Sequence, residues 1–208
     1  MLSESGQVRE ERKLYRMFNI FEKIRTYLRT AEAIPQLRRY ITLGMFDGIV
    51  VALAAIIAVD LKNLSSSILW TSGLSSLLGV ALASAWNTVQ AELLERASEI
   101  KKIERTILRP LKGTMLEKAY KISIMICTIA HSLSPLTGLL LILLYLALRS
   151  VAPGTALPLT MLSGSIVLGL LGLMYKNELE KKDLVKLCML MSSVTVGLVI
   201  VLALVLGH

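Results

Sequence analysis

The sequence predicts an all-α integral membrane protein: five transmembrane helices, an N-terminal amphipathic helix, and helical cytoplasmic extensions of spans two and three. Three observations carry this. Hydrophobic residues make up 54% of 208 positions and the mean hydropathy is +0.65, more apolar area than a globular exterior leaves room to hide. Five apolar runs, at about 41–59, 68–90, 122–148, 157–175 and 184–206, each match the roughly 20 helical residues that cross a bilayer core. Lys and Arg are confined to alternate loops, with nine in 1–40, eight in 91–121 and four in 176–186, leaving Lys62 and Arg149 for the other side. Basic residues collect on the cytoplasmic face, so the N-terminus is expected in the cytoplasm and the C-terminus outside.

The same partition accounts for the net charge of +8. In a soluble chain that excess would suggest nucleic acid; here topology explains it and no nucleic-acid partner is expected. The expected partner is the lipid bilayer, with the cell membrane as the location in a prokaryote. Residues 1–30 carry charges throughout and lack a signal-peptide apolar core, so the first span is expected to act as its own insertion signal. Cys127 and Cys188 both lie in apolar runs and no C-x-x-C occurs. They read as small hydrophobes in helix packing.

Taken in order, the chain divides into a cytoplasmic segment, 1–40, and a five-span membrane domain, 41–208. Within 8–31, Leu14, Met17, Phe18, Phe21, Ile24 and Leu28 recur at three- and four-residue steps among seven Lys and Arg. This is a basic amphipathic helix, expected on the membrane surface, with packing against the protein's own cytoplasmic helices as the alternative. Pro35 ends it.

Span one holds 19 residues, Ile41 to Val59, with a single charge, Asp47, followed by Gly48. A carboxylate at mid-helix costs roughly 2.5–3.5 kcal/mol on insertion scales, so it must face protein, water or a cation. Nearness to interfacial water is the structural alternative. Span two shows one face of small and polar residues, Ser72, Ser76, Gly79, Ala83, Asn87 and Gln90, spaced for close helix approach. Its two amides suit either a polar pathway or hydrogen bonds to a neighbour.

The helical pattern continues through the cytoplasmic segment 91–121, broken at Pro110 and Gly113. The third run exceeds one straight crossing, and His131-Ser-Leu-Ser-Pro135 interrupts its middle. Pro135 is expected to kink it and free carbonyls at membrane depth. The fourth run has Gly164, Ser165, Gly169 and Gly172 on a close-packing face. A short charged turn joins it to the fifth, so the two form a hairpin.

The densest carboxylates are Glu92, Glu95, Glu99 and Glu104 on the extension of span two, with Glu117 at the foot of span three. Positions 92, 95 and 99 share a helix face. Converging carboxylates suit a hard divalent cation; pairs such as Glu92–Arg96 are the structural alternative. His131 is the one histidine within the spans, a metal ligand or proton carrier, or else a hydrogen-bonded packing residue. No phosphate loop, nucleophile elbow or paired metal-ligand motif occurs. No catalytic residue is assigned and an enzyme is not expected.

This arrangement resembles the vacuolar iron transporter family and its prokaryotic relatives. The resemblance rests on the amphipathic N-terminal helix, the first span written Gly44-Met-Phe-Asp47-Gly48, and the small-residue second span running into a Glu-rich helix. Pro135 in the third span and the Gly-rich hairpin complete it, over about residues 9–207. The resemblance implies a homodimer that moves ferrous iron or manganese out of the cytosol in exchange for protons. The ion is substrate and no permanently bound cofactor is expected. It further implies Asp47 as the membrane ligand and Glu92, Glu95, Glu99 and Glu117 as cytoplasmic metal ligands; from the residues themselves, Asn87, Gln90 or His131 are expected as secondary groups on the path. Plant-type members insert a helical metal-binding domain between spans two and three, and here only 91–121 intervenes. The alternative function is a non-transporting membrane scaffold, or a lipid-interacting protein on the same fold.

Overall fold

The computed structural model describes residues 22–176 and 179–206. Most of the expected amphipathic helix, residues 8–21, lies outside the described residues. The described part, 22–30, is helical (α1). It is followed by α2 (Ile34–Leu61), α3 (Ser66–Ile107) and α4 (Met115–Leu133). A 3-10 turn (Ser134–Thr137) leads to α5 (Gly138–Val151). After it come α6 (Pro153–Gly172), a second 3-10 turn (Leu173–Tyr175) and α7 (Lys181–Leu206). No strand occurs among the described residues. Five of these helical stretches, taking α4 to α5 as one, are long and apolar enough to cross a membrane.

The chain forms two compact units. One comprises the described parts of Met1–Leu37 with Thr88–Cys127; the other, Arg38–Asn87 with the described parts of Thr128–His208. In the second unit α2 is the central helix. Its Ile49, Leu53, Ile56 and Ile57 are at most 2% exposed. Ile49, Leu53 and Ile56 pack with Leu69 and Leu77 of α3, Ile142 and Tyr145 of α5, and Leu168 of α6. A helix apolar all round belongs at such a position, because every face finds a neighbour.

α3 has 42 residues, roughly 63 Å at 1.5 Å each, about twice a bilayer's hydrocarbon core. The small-residue stripe does not pack within the chain. Ser72, Ser76, Gly79, Ala83 and Asn87 are exposed, and a methyl added at Gly79 would meet nothing within 4 Å. The packed face is its neighbour in helical register: Leu69, Gly73, Leu77, Ala81 and Ser84. Leu69 and Leu77 fill the core with bulk that small residues lack, and Gly73 admits the Ile142 side chain, whose Cδ1 would lie 2.6 Å from a Cβ there.

The third span breaks where Pro135 predicts. Pro135 has no N–H for the carbonyl four residues back, and the turn tightens to 3-10. Hydroxyls serve the local backbone instead: Ser134 Oγ donates to the Ala130 carbonyl and Thr137 Oγ1 to that of Ser134, the latter at 2.8 Å. Such an interruption survives at membrane depth only when sealed by protein, and Ser134 and Pro135 are both buried. The α6–α7 hairpin closes as its glycines suggest. Gly169 faces Ser192, Gly172 faces Cys188, and Ser165 shares a hydrogen bond with Thr195. Both cysteines are free thiols, Cys127 buried and Cys188 half-buried. At the other end of α2, Tyr145 Oη donates to Asp60 Oδ1, and Arg149 lies over the Tyr145 ring at 5.9 Å.

In the first unit, Tyr27 and Leu28 of α1 pack with Ala31, Ala33, Ile100, Leu116 and Tyr120. Of the described end of the apolar stripe, Leu28 is half-buried against the protein's own helices.

Candidate functional site

Asp47 is the fourteenth of the 28 residues of α2, about 20 Å along its axis from the first residue at 1.5 Å per residue. Between residues 40 and 60 only Leu43 and Asp47 are exposed; every other side chain of this stretch is buried or half-buried. The single uncovered strip of a central apolar helix therefore carries its carboxylate.

Glycine spacing fixes what lies beside it. Gly44 and Gly48 bracket Asp47 four residues apart, the small-x-x-x-small pattern that brings helices into backbone contact. A Cβ at Gly48 would stand 2.1 Å from the Pro135 carbonyl oxygen and 2.5 Å from Pro135 Cα. At Gly44 it would stand 2.9 Å from the His131 carbonyl oxygen and 3.0 Å from His131 Cδ2. The 3-10 break of span three thus lies directly on the Asp47 helix.

This contact sets His131, 8% exposed, beside the face of Tyr40, Gly44 and Asp47, whose steps of four and three keep them in line. The rings of Tyr40 and His131 lie 5.2 Å apart. The His131 imidazole and the Asp47 carboxylate are within electrostatic reach of each other. Sequence separation hid this pair. An imidazole nitrogen and a carboxylate oxygen are both donors to first-row divalent metal ions, and both groups exchange protons.

The glutamates are arranged differently. Glu92, Glu95 and Glu99 share a helix side but not an environment. Glu92 is fully buried, Glu99 half-buried and Glu95 exposed. Arg96, 4% exposed, draws two of them together: its Nε donates to Glu92 Oε2 at 3.3 Å and its Nη1 to Glu99 Oε2 at 2.8 Å. Its Nη2 donates to Gln36 Oε1, and its guanidinium lies 4.9 Å from the Tyr120 ring centroid. Glu92 Oε1 is buried with no hydrogen-bond partner. Gln36 also donates to Glu95 Oε1, at 3.5 Å. The Glu92–Arg96 pair visible in the sequence thus forms, in a buried setting that i,i+4 spacing alone does not reveal.

Glu117 serves the start of α4. Its Oε2 accepts the Gly113 N–H at 2.6 Å, its own N–H reaches Thr114 Oγ1 at 3.4 Å, and Lys121 pairs with it at 2.7 Å. This is a capping box displaced by one residue. Replacing Thr114 by Ala is expected to cost about 1 kcal/mol, read as a lower melting temperature of the detergent-solubilised protein. Asn87 and Gln90 are both exposed. Among the described residues no group of three or more His, Cys, Asp or Glu is placed to hold a metal ion.

Comparison with protein-family models, curated proteins and solved structures finds no match to this chain.

Proposed function

We propose that the protein is a proton-coupled transporter of ferrous iron or manganese that exports the ion from the cytosol and works as a homodimer. One observation carries the reading: Asp47 sits uncovered in the middle of an otherwise covered apolar helix, beside His131. Left against lipid, that carboxylate costs roughly 2.5–3.5 kcal/mol on insertion scales. A second copy laid over the exposed strip removes the cost and completes a site. Two carboxylates and two imidazoles then supply O and N donors for one divalent ion. Two carboxylates at close quarters retain protons more readily than one, and a metal ion displaces those protons when it binds. Ion entry and proton release are thereby linked at one place, and the export direction is the one that the resemblance to the vacuolar iron transporter family implies. Glu95 and Glu99, the less buried of the glutamates, serve as cytoplasmic capture groups.

Asp47→Ala is the test. In proteoliposomes its Mn2+ uptake is expected to fall to the level of protein-free vesicles, while its elution profile matches wild type because the side chain is exposed. Wild-type uptake by this variant removes Asp47 from the mechanism.

A second reading, a membrane scaffold that does not transport, is favoured by the engagement of Glu92 with Arg96 and of Glu117 with the α4 terminus. Calorimetry with Mn2+ separates the two. Binding that is lost in Glu95→Gln/Glu99→Gln supports transport, and no binding to the wild type supports the scaffold.

A further inference from the structure

An apolar groove of about 440 Å3 opens on the surface of the second unit, lined by Thr42, Leu43 and Phe46 of α2, Tyr175, and Leu187 and Met191 of α7. The Thr42 hydroxyl lies within hydrogen-bond distance of the Arg38 carbonyl, at 3.0 Å, and of Met174 Sδ, at 3.2 Å. It is therefore turned to the protein. The end of this groove is cationic. Arg39 is exposed one helical turn before Leu43, Lys176 is exposed beside Tyr175, and the Arg38 guanidinium is held there by donating to the Met174 carbonyl at 3.1 Å. Among the described acids nearby, Asp183 is engaged by Lys186 at 3.3 Å and Glu180 is exposed.

A long apolar cleft with a basic mouth matches an anionic amphiphile. The acyl chain of a membrane lipid suits the apolar lining, and its phosphate carries the charge opposite to that of Arg39 and Lys176.

We propose that the groove binds one anionic glycerophospholipid, an acyl chain lying between α2 and α7 and the phosphate held by Arg39 and Lys176. This goes beyond the transport reading: it uses neither Asp47 nor the glutamates, and it shares Leu43 alone with the exposed strip of α2.

The experiment is native mass spectrometry of the full-length protein, titrated with phosphatidylglycerol and phosphatidylcholine of the same acyl chains. Wild type is expected to retain one phosphatidylglycerol per chain in preference to phosphatidylcholine. Arg39→Gln/Lys176→Gln is expected to weaken phosphatidylglycerol binding about 25-fold, roughly fivefold per cation, and to leave phosphatidylcholine unchanged. Lys101→Gln/Lys102→Gln, the same loss of charge elsewhere, is expected to change neither. Leu187→Trp and Met191→Trp each fill the groove and are expected to abolish retention of both lipids, either variant sufficing if the other does not fold. Equal retention of the two lipids by wild type overturns the proposal. So does undiminished phosphatidylglycerol binding in a folded groove-filling variant, or an equal loss in the Lys101/Lys102 control.

Discussion

Gly48→Ala is expected to destabilise the protein by about 3 kcal/mol or more, at or above the upper end of what overpacking a core costs. The added methyl would stand 2.1 Å from the Pro135 carbonyl oxygen, 2.5 Å from its Cα and 2.6 Å from its carbonyl carbon. All three are backbone atoms, so no side-chain rotation relieves the clash. The contact is reciprocal, since a Cβ at Gly138 would fall 2.2 Å from the Gly48 carbonyl oxygen. To admit the methyl, α2 must retreat from the break of span three, which also draws Asp47 from His131. Gly79→Ala is the matched control. Nothing lies within 4 Å of its added methyl, and it gains up to about 1 kcal/mol of helix propensity. Melting temperatures in detergent should therefore move in opposite directions for these two Gly→Ala changes. A Gly48→Ala protein as stable as wild type would show that α2 and the Pro135 turn do not meet backbone to backbone.

The pattern at Gly48 shows how much of the architecture was legible beforehand. Apolar run length and composition give all five spans, because a helix that crosses a bilayer has little choice of length or content. Pro135 marks the break because the missing N–H acts locally. Which face of α3 packs within the chain was not legible, for a physical reason. Ser72-Ser76-Gly79-Ala83 and Leu69-Gly73-Leu77-Ala81 are both helical stripes, one register step apart, and either can meet a neighbour. The choice rests on the shapes of α2 and α5, which α3 alone does not contain. The approach of His131 to the Asp47 helix was equally out of reach, since it depends on two helices crossing. The signal that bears on it is Gly44-x-x-x-Gly48, which marks the face that another backbone approaches. The surroundings of Glu92 were hidden in the same way: an i,i+4 Glu–Arg pair looks alike on a wet surface and in a core, and the sequence does not show that Gln36 and Tyr120 close over Arg96.

Those surroundings give the second large effect. Arg96→Met is expected to cost roughly 3–5 kcal/mol, the range for removing one partner of a buried ion pair. The methionine replaces much of the stem's volume but none of its donors. Glu92 is 0% exposed, its Oε1 already has no hydrogen-bond partner, and the change takes the Arg96 Nε–H from Oε2. The carboxylate is then buried with neither oxygen served, and Gln36 and Glu99 each lose a donor as well. If an unpaired charge is the cause, a second substitution that removes it should restore stability. Arg96→Met/Glu92→Leu is therefore expected to recover most of the loss, as apolar replacements of buried ion pairs do elsewhere. The measurement is a double-mutant cycle on denaturant midpoints or melting temperatures in detergent. Strong coupling, with the double variant more stable than Arg96→Met alone, is the expected result. Additive losses would mean that Arg96 acts through its packing on Tyr120, 4.9 Å away, rather than as the counter-charge of Glu92. The cycle also bears on transport. A Glu92 that can be exchanged for leucine together with Arg96 while Mn2+ uptake persists is a residue of the scaffold, and metal capture then rests on Glu95 and Glu99.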